Sequence, residues 1–321
     1  MSRVVILMGA DIQSSRIDER EGFVQAQAIA CSLERLGYEY EISVVKADFK
    51  AVKQLLFNKP LFIINLVEEI EGQCQLAYLV PAMLEAYNLN FSGSCALSYA
   101  LTTNKIETKK ILKQAGLPTP NWSLDGLDIN INKYIIKSVH EDASFGMGED
   151  SVVSSNEVSE ALRLKKQKYK GQWFAENYID GREFNVALLY FNQILKVLPI
   201  AEIVFNNYPC SKPKIIDYEA KWDENSFAYK NTAREFLDER SPLAQELGDL
   251  AQKTWHLLGL KDYARIDFRV DAQGQAHILE VNANPSLAPD SGFIAAAQRA
   301  GIEFDQLIFS WLPKKEHAKI K

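Results

Sequence analysis

Over roughly the first hundred residues, short apolar runs alternate with longer amphipathic stretches, the order that parallel βαβ units require. The run VVILMG from Val4 to Gly9 predicts a strand, and FVQAQAIACSLERLG predicts a helix stopped by Gly37. YEISVV and LFIINLV follow as strands, and LAYLVPAMLEAYN as a second helix. A linker helix is predicted over TTNKIETKKILKQAG, where Thr and Asn stand at the start, Gly116 stands at the end and PTP forbids continuation. A boundary therefore falls near 117, giving an N-terminal α/β domain with a helical linker over residues 1–117.

The pattern changes after that boundary. Residues 118–200 carry the strand YIIKSV, the glycine-containing loop HEDASFGMGEDS, an amphipathic helix from about Asn156 to Lys170, and the strands WFAENYI and EFNVALLYF, which together predict a small α+β lobe. Residues 201–321 form the last unit. It opens with a polar, aromatic-rich stretch from Asn206 to Ser241 that lacks periodicity and is predicted as a long functional loop. The helix PLAQELGDLAQKTWHLLG, two strands (YARIDFRV and AHILEVNAN) joined by the turn DAQGQ, and a last helix over IEFDQLIFSWL complete it, and PKKEHAKIK is predicted to fray. No internal repeat is visible.

The composition narrows the class of protein. At 321 residues the chain has room for two or three domains, against about 100–200 residues per domain. Its 47% apolar and 24% charged residues are ordinary for a globular protein. The net charge of −6 argues against a nucleic-acid binder held by a basic surface. The opening apolar run is too short for a signal segment or a membrane span, and no stretch approaches the ~20 apolar residues a spanning helix needs, so a cytoplasmic protein without membrane contact is expected. Cys31, Cys74, Cys95 and Cys210 stand singly, without metal or redox spacing, and are expected to be reduced.

The residues most suggestive of chemistry lie on the last two strands. Side chains alternate faces, so Arg265, Asp267 and Arg269 share one face of the first strand, and Glu280, Asn282 and Asn284 share one face of the second. A register that sets Asp267 opposite Glu280 also sets Arg265 opposite Asn282. Two carboxylates and an amide oxygen are hard ligands suited to Mg²⁺ beside substrate phosphates. A polar sheet face with a cross-strand ion pair is the plainer alternative.

Two lysines and a loop add weight to the phosphate reading. Lys105 stands just inside a helix, and Lys137 ends the apolar run YII, where a lysine is costly unless it meets an anion. The loop after Lys137 offers Ser144, Gly146 and Gly148, whose backbone N–H groups could wrap phosphate oxygens; an ordinary surface turn would read the same way.

From Val4 to Leu312, the order SGSCALSYALTTNK, GLPTP, YIIKSVHEDASFGMG, WFAENYIDGREFNVALL, DYEAKW and YARIDFRVDAQGQAHILEVNANP resembles the ATP-grasp superfamily, and within it the D-alanine-D-alanine ligases. The resemblance implies an α/β ATP-grasp fold, with an N-terminal parallel α/β (pre-ATP-grasp) domain and a two-lobed ATP-binding region. It implies that Lys105, Lys137 and Lys221 contact ATP phosphates, and that HEDASFGMG with Ser144 forms a flap over them. Glu176, Asn177 and Ile179 would hold adenine, and Glu183 the ribose. Asp267, Glu280 and Asn282 would be ligands of two Mg²⁺ ions, or of Mn²⁺. Arg265 would polarise the intermediate and the substrate carboxylate, Ser291 would keep its place in the oxyanion loop, and Glu19 would anchor the first substrate's amine. A homodimer and small carboxylate and amine substrates, amino acids above all, are implied with it. A core-facing turn at DGREF and a solvated charge at Lys221 are the plainer readings of those two places.

Departures gather on the substrate side. MGADIQSSRIDERE replaces the family's Gly-Gly turn and Ser before Glu-Arg-Glu, NLVEEIEG replaces its histidine-containing motif, Trp222 replaces a tyrosine, Ala143 replaces a flap serine, and Pro285-Ser286-Leu287-Ala288 replaces Pro-Gly-Met-Thr. The expected activity is ATP-dependent ligation of a carboxylate to an amine through an acyl phosphate. The alternatives are a ligase for another amino acid or metabolite, and an ATP-binding protein with a degenerate substrate site. Loss of polar links at Trp222 and Ala143 predicts weak use of D-alanine compared with the best substrate.

Overall fold

The computed structural model describes residues 3–9, 17–126, 132–141, 144–169 and 171–313. The N-terminal region runs β1 (Val4–Met8), α1 (Ile17–Arg35), β2 (Tyr40–Val44), α2 (Lys50–Asn58), β3 (Phe62–Leu66), α3 (Leu79–Ala86), α4 (Ala96–Thr103) and α5 (Lys105–Gln114). Its three strands form a parallel sheet in the order β2-β1-β3. β1 is buried at all five positions because helices cover both of its faces, which is why it reads as an unbroken apolar run. Gly37 ends α1 at φ 72, and the Tyr38 N–H reaches back to the Leu33 carbonyl at 2.8 Å, a closure that a glycine in the left-handed region permits.

The linker is not one helix. Asn104 adopts an extended conformation between α4 and α5, and its side chain accepts from the N–H groups of Ile106 and Glu107, both at 3.1 Å. An asparagine in that place caps a new helix more readily than it continues an old one. Lys105 thereby becomes the first residue of α5.

A four-stranded antiparallel sheet follows, in the order β4 (Trp122–Ser123), β7 (Trp173–Asn177), β5 (Lys133–Ser138), β6 (Val152–Ser154). α6 (Val158–Lys168) covers it, burying Tyr134, Ile136, Val158, Leu162 and Trp173 in a small core of its own. The larger sheet has the order β11 (Thr232–Phe236), β10 (Ala201–Phe205), β8 (Gly181–Phe191), β12 (Tyr263–Asp271), β13 (Ala276–Asn282), with β9 (Ile194–Val197) paired to β8. The division between the two sheets therefore falls between Asn177 and Gly181, ahead of the predicted boundary at 200. The stretch predicted as a loop from 206 to 241 contains α7 (Tyr218–Trp222), α8 (Phe227–Lys230) and β11. α9 (Pro242–Leu257), α10 (Gly292–Arg299) and α11 (Phe304–Trp311) complete the chain as described, and the predicted fraying beyond Pro313 lies outside the described residues.

Alternation along the strands divides the main core in two. Val5 and Leu7 pack in the same cluster as Phe184, Val186, Ile266 and Phe268, while Val4, Ile6 and Met8 join Ala187, Leu189, Tyr263 and Phe293. Each fully buried Ile or Phe of this kind stabilises the fold by about 1.5–3 kcal/mol. Because Ala264, Ile266, Phe268 and Val270 face that core, Arg265, Asp267 and Arg269 are turned to the opposite side of the sheet. Among the described residues, no helix is long and apolar enough to cross a membrane. None of the four cysteines is in a disulfide, and Cys31 and Cys210 are exposed.

Candidate functional site

A cavity of about 580 Å³ lies between the two antiparallel sheets and reaches the tips of β1 and β3. That is the size of a small-molecule site. Its lining brings together Lys105, Lys137, Ser144, Glu176, Asn177, Ile179, Glu183, Lys221, Arg265, Asp267, Glu280, Asn282 and Ser291, every predicted site residue except Glu19. Glu19 is in α1, with its side chain outside the described residues, and Ala143 lies outside them altogether.

The β12–β13 hairpin pairs Asp267 with Glu280 and Arg265 with Asn282, the register expected from the sequence. A bulge follows immediately, so that Phe268 pairs with Ile278. The Arg265 guanidinium donates through two nitrogens to the two oxygens of Asp267, each at 2.8 Å. Asn185, directly across on β8, donates to Asp267 at 2.8 Å, and the Asn282 amide nitrogen donates at 3.3 Å. Burial raises the Asp267 carboxyl above the usual range even with Arg265 beside it. Glu280 behaves oppositely. Burial alone would raise it, but Lys105, Lys137 and Arg265 hold it at about 2, so it is ionised near neutral pH.

The Lys105 ammonium stands 3.9 Å from Glu280 and donates to the Glu141 carbonyl at 2.9 Å. The anion that Lys137 meets is Glu176, at 2.8 Å. The same carboxylate forms an ion pair with Lys109, which is 1% exposed and also donates to Thr119 Oγ1 at 3.0 Å. Burial works against a charged Glu176, yet the two lysines bring its pKa below the usual range. Lys109 escaped sequence reading, although its place four residues after Lys105 puts both lysines on one helix face.

Arg269 organises the neighbouring wall. It donates to Glu183 Oε2 at 2.7 Å and to the carbonyls of Ile179 and Gly181, both at 3.3 Å, and it also reaches the Lys214 carbonyl. The two-residue spacing of Glu183 and Asn185 on β8 gives them one face, opposite Arg269 and Asp267 respectively. Only Glu183 of these two was singled out from the sequence.

The loop after Lys137 is docked rather than open. Ser144 donates to the Ile216 carbonyl at 2.7 Å, Lys165 donates to the Gly146 carbonyl at 2.7 Å, and the Tyr218 N–H reaches the Met147 carbonyl at 3.3 Å. Asp217 caps α7 through the Ala220 N–H at 2.8 Å, placing Lys221 and Trp222 on the cavity wall with the ammonium 4.7 Å from the indole ring. Ser291 caps α10 by accepting from the Ile294 N–H at 3.3 Å.

At the far end, the loop replacing the histidine-containing motif brings Glu68 and Glu69 to the cavity. Gly9 packs so closely on the Glu69 carbonyl that a Cβ there would collide with it. Buried Gln25 joins this end to the loop after β13, donating to Glu68 at 3.2 Å and accepting from the Leu287 N–H at 2.9 Å. A glutamine on the apolar face of α1 was the overlooked signal.

The donor set can be weighed against a divalent cation. Among the described residues no group of three His, Cys, Asp or Glu side chains could by itself hold a metal ion, so a site on the hairpin would need the Asn282 amide as its third donor. The Asn282 nitrogen is spent on Asp267, which leaves its oxygen as the donor atom. Two carboxylates and an amide oxygen on one wall fit the all-oxygen preference of Mg²⁺.

Comparison with known proteins gives the family. The family description D-ala D-ala ligase C-terminus matches residues 129–312, more than half of the chain. The D-alanine--D-alanine ligase of Aquifex aeolicus is 31% identical over 316 residues, covering 95% of this chain and 98% of the relative. The uncharacterized protein y4sG of Sinorhizobium fredii is 34% identical over 251 residues, covering 77% of this chain and 72% of the relative. The D-alanine--D-alanine ligase structure from Bacillus anthracis superposes with a TM-score of 0.73 at 21% identity, covering 97% of this chain and 96% of that one; the same ligase complexed with ATP gives 0.70.

Proposed function

The chain belongs to the D-alanine–D-alanine ligase family of ATP-dependent ligases and has the ATP-grasp fold, and from that premise we propose that it phosphorylates a substrate carboxylate with ATP and joins the acyl phosphate to an amine. The observation that carries the reading is the β12–β13 register, which sets Asp267 against Glu280 and Arg265 against Asn282 in the same cavity as Lys105 and Lys137.

In this reading Lys105 and Lys221 neutralise phosphate charge, and Lys137 does so from beside Glu176. The Glu176-Asn177-Ile179 stretch takes adenine, and Glu183 takes the ribose. Asp267, Glu280 and Asn282 would hold Mg²⁺, which when bound supplies positive charge to the transferring phosphoryl group. Glu280, ionised throughout the working pH range, suits that task. Arg265, oriented by its two bonds to Asp267, supports charge that develops on the substrate carbonyl. The loop containing Ser144 excludes water from the acyl phosphate. Glu19 and Ser291 are assigned to the substrates, for which amino acids are the class proposed.

A phosphate-release assay with ATP and Mg²⁺ over D- and L-amino acids, alone and in pairs, tests the proposal. Release that requires both a carboxylate and an amine supports it. ATP binding with no release from any pair favours a nucleotide-binding protein instead.

A further inference from the structure

Arg234 lies on β11, the edge strand of the larger sheet, opposite Ile203, and lines the cavity close to the first residue of α10. Its guanidinium carbon and two of its nitrogens come within 3.6–3.9 Å of the place a Cβ would occupy on Gly292. Two charged groups influence it. Arg265 repels it, and Asp290 offsets part of that repulsion without forming an ion pair. Among the described residues, the Arg234 side chain makes no hydrogen bond and no ion pair.

The two arginines are not equivalent. Arg265 has its counter-charge in Asp267, through two bonds of 2.8 Å. Arg234 has none: its side chain is exposed on the cavity wall, and the positive charge of Arg265 stands near it. A guanidinium exposed to a cavity beside a like charge, with no carboxylate of its own, favours an anion in that cavity. A planar guanidinium fork matches a carboxylate, which it can take through two parallel hydrogen bonds. The phosphate charge has its own cations in Lys105, Lys137 and Lys221, and a single substrate carboxylate has Arg265. That reading gives Arg234 no anion.

We propose that Arg234 is a specificity-determining residue that binds a second carboxylate, so that the amine substrate is an acidic, dicarboxylic amino acid. The inference rests on the ligase reading and names the substrate class for it. Glu68 accepts from Gln25, and the Glu69 backbone packs on Gly9 just beyond β1.

The test measures ATP-dependent phosphate release with D- and L-aspartate, D- and L-glutamate, D-alanine and D-alaninamide as amine substrates, each paired with D-alanine or L-alanine as carboxyl donor. In the wild type an aspartate or glutamate is expected to have the highest kcat/KM. Arg234→Gln is expected to lower the ratio of acidic to neutral kcat/KM by about tenfold or more, mainly through KM, and Arg234→Lys to restore part of the ratio. The Tm of each variant and its shift with an ATP analogue show whether the fold and nucleotide site are intact. Preference for a neutral amine in the wild type, or an unchanged ratio in a folded Arg234→Gln enzyme, would overturn the inference while leaving the ligase reading in place. Nucleotide binding with no release from any pair would overturn both.

Discussion

At the hairpin end of the cavity, charged groups are answered by other charged groups: Arg265 by Asp267, Lys105 by Glu280, Arg269 by Glu183, and Lys109 and Lys137 together by Glu176. At the α1 end the described contacts are of another kind, with the neutral Gln25 spanning Glu68 and the Leu287 backbone. The first region is built mainly from adjacent strands, with Lys105 and Lys109 supplied by α5, so strand alternation and register decide most of the side chains that meet. The second is built from loops and a helix end contributed by segments far apart in sequence. The contrast runs parallel to the expectation from the sequence, in which the residues that resemble the family's lie on the nucleotide side and the departures on the substrate side.

The sharpest way to break the contrast is to remove a charge from the hairpin. Glu280→Gln and Asp267→Asn are each expected to lower turnover by about 10³-fold or more, because an amide keeps the shape and loses the charge that a bound cation needs. Steady-state phosphate release, with circular dichroism to establish folding, checks this. Normal turnover in either folded variant removes the metal assignment.

Next in size is Glu176→Gln, which leaves Lys109 and Lys137 without their carboxylate. Breaking a buried pair in this way costs about 3–5 kcal/mol, measurable by urea unfolding at neutral pH. The pH dependence has a definite sign. A carboxylate whose folded pKa lies below its unfolded value stabilises the fold above the unfolded pKa and loses that contribution as pH falls through the folded one. The wild type should therefore lose stability more steeply than Glu176→Gln below the ordinary glutamate range, and parallel curves would mean that Glu176 is not held ionised.

At the other end, Gln25→Leu should cost about 1–3 kcal/mol, since it leaves the Leu287 N–H buried without an acceptor. Its effect should appear in KM for the amino-acid substrates more than in KM for ATP; the reverse would place Gln25 in the nucleotide site. D-alanine as sole amino acid should release phosphate about tenfold more slowly than the best substrate pair. If D-alanine proves the best substrate, the loss of polar links inferred from Trp222 is compensated by packing.

The hairpin chemistry was legible because strand alternation and one pairing rule suffice to place Arg265, Asp267, Glu280 and Asn282. The bulge after Asp267 was not, since a constant register sum cannot foresee an inserted residue. Asn185 and Arg269 depend on which strand lies beside β12, and nothing in the local pattern of β8 names its partner. The break at Asn104 reflects capping outcompeting a helical pattern that looked continuous. α7, α8 and β11 are short and weakly periodic, and it is packing around the cavity that makes them regular. Lys109 was passed over because a lysine in a polar-looking helix gives no sign that its face is buried.

The most direct test of the ligase account follows the carboxylate oxygen. With ATP, Mg²⁺ and the amino-acid pair that turns over fastest, the carboxyl donor is supplied with both carboxyl oxygens as ¹⁸O, and the released phosphate is analysed by mass spectrometry. An acyl phosphate carries one donor oxygen into the leaving phosphate, so one ¹⁸O per phosphate is predicted. Phosphate released without ¹⁸O would mean that ATP is cleaved by water, and would contradict the account.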